Sequence, residues 1–316
     1  MQERIYSIDY LRVLLAAFVV IGHAGLGRES FGVAGLIVLN TVLRLAVPLF
    51  AMTAGFFLFR TRLRGRYWLW VRRMAMIYLV WYAIYFVFMG LWDQSLRQSL
   101  RELVLGFRHL WFLEGLVLGA AMMHFAIPRG PRFMLATGVV AGLLGLAMEY
   151  PAVAHLVPIP LELFRSGPFF LYPFMVMGYL FAMQRDDAAS VPWRIPARGR
   201  LIAVALAGLV IAMVENTVFL TMVSKYALLE VQVGMYLMAP MIFALALGMS
   251  APATDLPLGT IASAVYVIHY LVLHFANQLQ PDHPLGPALA AFFLPALLVL
   301  AMTRLGRGQR WMAQLF

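Results

Sequence analysis

The sequence predicts an all-α, polytopic membrane protein with about ten transmembrane helices and both termini in the cytoplasm. Three observations carry this expectation. Of the 316 residues, 63% are hydrophobic and 12% charged, with a mean hydropathy of +0.84, whereas a soluble domain carries about a quarter charged residues. The apolar stretches are long and continuous, which suits spanning helices and not the alternating short strands of an outer-membrane barrel. Positively charged residues are also distributed unevenly between the connections. At roughly 20 apolar residues per span the length accommodates about nine to eleven helices, so residues 1–316 are expected to form a single membrane-embedded unit without a soluble domain.

The elements follow in order. The first span, 8–26, has an apolar run preceded by Asp9 and Arg12 and followed by His23. It lacks a small-x-small cleavage site and is therefore expected to be retained. The second, 33–59, contains Asn40 and Arg44 ahead of Val47-Pro48-Leu49-Phe50. The third is expected at 74–92, after an Arg-rich connection. Residues 93–110 then read as an interfacial helix, because Leu96, Leu100, Leu103 and Leu105 interleave with Arg97, Arg101 and Glu102. The fourth span, 111–127, carries Glu114 and His124, and 133–148 and 168–183 form a shorter fifth and sixth. The seventh, 201–220, contains Glu215 and Asn216, and the eighth covers 231–249. The ninth, 258–275, places Ser263, Tyr266 and His269 at every third position, and 285–302 completes the set.

With the N-terminus inside, seventeen arginines fall on the cytoplasmic side, including Arg4, the group from Arg60 to Arg73, and Arg304, Arg307 and Arg310. Only Arg28, Arg97, Arg101, Arg108, Arg165 and Lys225 fall outside, with Arg44 left within a span. This bias is the positive-inside pattern. It accounts for the net charge of +10 without a nucleic-acid partner. Zero cysteines exclude disulfides, thiol catalysis and Cys-ligated metals. No Gly-rich phosphate loop, HExxH or GxSxG occurs, and no metal site is expected. Trp68, Trp70, Trp81, Trp92 and Trp111 fall near proposed span ends, as interfacial anchors and core residues do.

Ionisable side chains in the hydrocarbon layer are costly and mark candidate sites. Arg12 and His23 are eleven positions apart, about three turns plus 20°, so they share a helix face at a separation of about 16 Å. That spacing fits a reaction whose two substrates arrive from opposite sides. It also fits a snorkelling arginine plus a histidine bonded to a neighbouring helix. Arg44 needs a carboxylate, a carbonyl or a water-filled cavity, which leaves structural pairing and anion binding both open. Ser263, Tyr266 and His269 form one stripe that either lines a site or holds helices together.

Several of these segments together resemble acyltransferase family 3, membrane proteins that transfer acyl groups to extracytoplasmic glycans and lipids. Ile8-Asp9-Tyr10-Leu11-Arg12 followed by His23 resembles the family's first-helix signature. Arg44 with Val47-Pro48-Leu49-Phe50 and Gly55 resembles the second, and Arg73 with Tyr78-Leu79-Val80-Trp81 the third. His109-Leu110-Trp111-Phe112-Leu113 resembles the start of the fourth, Pro168-Phe169-Phe170 with Gly178-Tyr179 the sixth, and Ser263, Tyr266 and His269 the ninth. Two positions depart from the family pattern. Its second third-helix arginine is Trp70 here, with Arg72 about 200° away around an ideal helix, and the usual Ser-Gly is Ala54-Gly55. Some family members carry an appended hydrolase-like domain, whereas 14 residues follow Met302.

The resemblance implies an O-acyltransferase of a bacterial cytoplasmic membrane with no tightly bound cofactor. Acyl-CoA, most simply acetyl-CoA, would be the co-substrate from the cytoplasm. A hydroxyl of an extracytoplasmic carbohydrate or lipid-linked glycan would be the acceptor, as in polysaccharide modification. His23 would be the general base or acyl relay. Arg12, Arg73, Arg72 and Asp9 would shape and support the donor site. Arg44, Ser263, Tyr266, His269, His109 and Trp111 would line the cavity. The competing expectation is a transporter or flippase of a lipid-linked glycan or acyl group, in which the same buried residues line a passage.

Overall fold

A computed structural model describes residues 4–26, 32–224, 227–280, 283–305 and 315–316. Arg28, Lys225, Arg307 and Arg310 lie outside the described residues. The described chain is helical, without strands. Its helices are α1 (Tyr6–Ala24), α2 (Gly32–Leu43), α3 (Ala46–Leu63), α4 (Tyr67–Phe88), α5 (Leu96–Leu105), α6 (Trp111–Ala126) and α7 (Pro131–Val153). They continue with α8 (Leu161–Phe164), α9 (Tyr172–Asp186), α10 (Arg198–Met222), α11 (Val233–Gly248), α12 (Leu258–Leu279) and α13 (Leu285–Arg304).

Eight helical stretches among the described residues are long and apolar enough to cross a membrane. The other two expected spans, the sixth and eighth, are helical but shorter. The sixth begins with a wide π turn at Gly167–Leu171 before the 15-residue α9, and α11 has 16 residues because the chain ahead of it, 227–232, is not helical. The interfacial segment forms α5, capped by the Ser95 hydroxyl accepting from the Gln98 amide at 3.3 Å. The third span starts earlier than expected, at Tyr67, because Arg72 and Arg73 sit on exposed positions of a helix whose Tyr67 and Val71 are buried.

The expected continuous second span is interrupted at Arg44 and Leu45. Pro48 supplies the reason. It has no N–H for the Arg44 carbonyl four residues earlier, and its ring crowds that carbonyl. The helix restarts with Pro48 at its third position, where a missing donor is tolerated. Arg44 is thereby presented from a break between helices and not from a continuous span.

The buried side chains form two clusters. One joins α3, α6, α9 and α11, and the other joins α4, α12 and α13. Helix α1 contributes to both, through Ile8 and Leu15 to the first and Ala16 and Val20 to the second. It lies along the seam, where Phe50, Met74 and Tyr266 touch both clusters. Trp81 and Trp111 belong to these clusters, whereas Trp68 and Trp92 are exposed as interfacial anchors would be. Helices α3 and α9 meet backbone to backbone: a Cβ at Gly55 would strike the Met175 carbonyl, and one at Gly178 would strike the Met52 carbonyl. The two motif glycines are one reciprocal contact.

Candidate active site

Two cavities open along the seam, one toward each end of α1. The first, about 360 Å3, is lined by Arg12, Thr53, Trp70, Arg73, Ser263 and Tyr266 together with apolar neighbours. Arg12 is fixed there from three directions. It pairs with Asp9 at 3.7 Å one turn back, and its Nη2 donates to the Gly259 carbonyl and the Ser263 hydroxyl, each at 3.1 Å. Asp9 is itself held by Arg4, whose Nε lies 2.7 Å from the carboxylate and whose Nη atoms donate to the Thr254 and Leu256 carbonyls. Arg73 lines the same cavity and Arg72 does not. The Trp70 indole faces the cavity beside Arg73.

The second cavity, about 250 Å3, contains His23, Asn40, Arg44, Arg165 and Glu230. His23 is accessible from this space. Its Nδ1 lies 2.9 Å from the Val19 carbonyl. A carbonyl only accepts, so Nδ1 carries the proton, and in the neutral ring the lone pair is on Nε2. The helix itself therefore selects a tautomer whose basic nitrogen, Nε2, makes no hydrogen bond among the described residues.

Between the cavities stands an aromatic cluster. The His23 ring is 5.0 Å from His269 and 6.3 Å from His109, and His109 and His269 are 4.8 Å apart. Tyr270 stacks on His109 at 5.3 Å, and Tyr85 meets it edge-on at 5.2 Å. Tyr266, which lines the first cavity, donates its hydroxyl to the His109 carbonyl. His269 is bonded through Nδ1 to the Val265 and Tyr266 carbonyls. Its Nε2 and both ring nitrogens of His109 are buried without a hydrogen-bond partner among the described residues. Buried polar atoms of this kind are rare and call for a functional account or a bridging water. Close as the rings are, no group of three His, Asp or Glu side chains among the described residues is arranged to hold a metal ion.

The ninth-span stripe thus divides: Ser263 and Tyr266 line the Arg12 cavity, while His269 is enclosed behind them. Trp111 is buried and stacks on Phe170 at 6.0 Å. Arg44 donates its Nε to Asn40 at 3.0 Å and forms an ion pair with Glu230.

Glu230, Arg165 and Glu149 are site residues that sequence reasoning missed. Glu149 is fully buried and accepts the backbone amides of Glu230 and Val231. Glu215 accepts those of Val233 and Gly234 at 2.9 and 3.1 Å, and also the Tyr150 hydroxyl. The Asn40 amide bonds Asn216 at 2.7 Å and the Leu229 carbonyl at 3.3 Å. Non-helical backbone at membrane depth is tolerated where protein groups satisfy it and it lines a cavity, and 227–232 meets both conditions. The signal available beforehand was Glu230 itself, a single acid between Leu229 and Val231.

Fold and site together define a multi-pass helical membrane protein whose ionisable groups converge at the seam of its bundle. The chain belongs to acyltransferase family 3: the family's profile, described as an acyltransferase domain, matches residues 5–304. No curated protein and no solved structure matches the chain.

Proposed function

We propose that this protein is an O-acyltransferase of a bacterial cytoplasmic membrane. It takes an acyl group, most simply acetyl, from acyl-CoA bound on the cytoplasmic side. The acceptor is a hydroxyl of an extracytoplasmic carbohydrate or lipid-linked glycan. The observation that carries this reading is His23, whose Nε2 is left available by the Val19 bond and which opens on one cavity while the cavity of Arg12 and Arg73 lies on the other side of the histidine and tyrosine cluster.

In the reaction, the acceptor hydroxyl oxygen attacks the thioester carbonyl while His23 Nε2 takes its proton. The carbon–sulfur bond breaks, the ester leaves on the acceptor, and the proton is returned to the CoA thiolate. General base assistance of this kind contributes about 10²–10⁴-fold. Arg12, fixed by Asp9, and Arg73 supply the positive charge that receives the donor's phosphate and carbonyl oxygens. The stacked aromatic wall keeps water from the thioester.

The test uses purified protein in lipid nanodiscs, radiolabelled acetyl-CoA, and lipid-linked sugar and polysaccharide extracts as acceptors. Wild type is expected to form labelled ester. His23→Ala is expected to lose at least about 100-fold of that rate while remaining membrane-inserted. Ester formation near wild-type levels in the variant removes His23 from the mechanism. A wild-type protein that forms no ester with any acceptor but moves a lipid-linked glycan across the membrane is a carrier.

A further inference from the structure

The His23 cavity holds more cationic capacity than its own ion pair uses. Arg44 is satisfied by Asn40 and Glu230. Arg165 is not: its Nη1 reaches the other oxygen of Glu230 only at 4.0 Å, and it makes no hydrogen bond to protein among the described residues. Glu230 has little freedom to close that gap, because its carboxylate is held by Arg44 and its backbone is fixed by the buried Glu149 and by Asn40. The Arg165 guanidinium is meanwhile stacked over the Trp111 ring at 5.1 Å. Stacking of this kind fixes the plane of the fork and leaves its edge N–H groups available for a bidentate partner. Two guanidiniums and one carboxylate line the cavity that contains the free Nε2 of His23.

We infer that this cavity is built for an acceptor bearing an anionic oxygen group, a carboxylate or a phosphate ester, held by Arg165 with Arg44 while a neighbouring hydroxyl faces His23. The inference rests on the acyltransferase reading for the word acceptor, but the anion subsite is testable without catalysis. A neutral sugar would leave the Arg165 donors unmatched, and a site built around such donors discriminates strongly against ligands that cannot use them.

The experiment measures binding to the full chain in nanodiscs by titration calorimetry, with glucose, glucuronate, glucose 1-phosphate and inorganic phosphate as probes. Glucuronate or glucose 1-phosphate is expected to bind at least tenfold more tightly than glucose. The glucuronate and glucose 1-phosphate arms separate carboxylate from phosphate, and the inorganic phosphate arm shows whether the sugar contributes. Arg165→Gln is expected to remove the preference for the anionic probes. Should that variant not give monodisperse protein, the wild-type preference measured between low and high salt serves instead: it should shrink as salt rises, while glucose binding stays constant. Equal affinity for glucose and the anionic sugars, an anion preference unchanged in Arg165→Gln, or one indifferent to salt overturns the proposal. Anion preference in a protein that makes no ester supports the subsite and counts against the acyltransferase reading.

Discussion

At the scale of single residues, each of the two α1 groups that face the seam is oriented by a different device. His23 is set by the carbonyl one turn behind it, which leaves Nε2 free. Arg12 is set by Asp9 and by α12, through the Gly259 carbonyl and the Ser263 hydroxyl. Lysine at position 12 would keep the charge beside Asp9 but not the two-point donation. Without those bonds the charge is no longer held at one place in the cavity, so Arg12→Lys is expected to raise KM for acetyl-CoA severalfold with little change in kcat. Initial rates against acetyl-CoA concentration check this, and an unchanged KM would remove Arg12 from the donor site. The shared face of Arg12 and His23 was legible from their spacing. The ring cluster was only half legible, since His109 and His269 stand out in the sequence as members of motifs while nothing in their spacing says that they meet His23. Arg165 was hidden by its position: in sequence it is one more loop charge, and only the fold brings it onto Trp111 and toward Glu230.

At the scale of elements, hydropathy located the helices well where both flanks are polar, as for α6, α12 and α13, and poorly where backbone geometry decides. The break before α3 follows from Pro48, and the late start of α11 follows from carboxylates on other helices that a linear reading does not connect. The α3–α9 contact is the most constrained junction in the bundle. A valine at Gly178 would have to displace the Met52 backbone, not a flexible side chain. Overpacking costs typically about 1–3 kcal/mol, and a backbone clash belongs at the upper end. Gly178→Val is therefore expected to lower the unfolding midpoint in detergent by several degrees and to reduce the yield of monodisperse protein. Gly199, where an added Cβ meets nothing within 4 Å, provides the control: Gly199→Ala should leave both unchanged. A wild-type melting curve for Gly178→Val would show that α3 and α9 are not pressed together.

At the scale of the whole molecule, the charge distribution makes a claim about sidedness that direct labelling can check. The absence of cysteine from the chain makes single introduced thiols unambiguous reporters. In intact spheroplasts a membrane-impermeant maleimide should label Arg97→Cys, on the exposed face of α5, and should label Arg66→Cys, between α3 and α4, only after permeabilisation. The opposite pattern would invert the bundle and place the Arg12 cavity outside, away from any cytoplasmic acyl-CoA. Seam and sidedness belong together in this respect, since the two cavities have distinct suppliers only if the two ends of α1 face different compartments.

The stretch 227–232 has a consequence for the order in which the protein is assembled. The Glu230 and Val231 amides are satisfied by Glu149 on α7 and the Leu229 carbonyl by Asn40 on α2, and the Val233 and Gly234 amides that follow are satisfied by Glu215 on α10. Helices enter the bilayer from the N-terminus during synthesis, and each inserts as an element before it packs against others. The wall carrying Glu230 therefore has no partners until α2, α7 and α10 are all in place and α11 has followed them. The Glu230 wall of the His23 cavity is a late product of biogenesis, closed only after most of the bundle around it has been inserted.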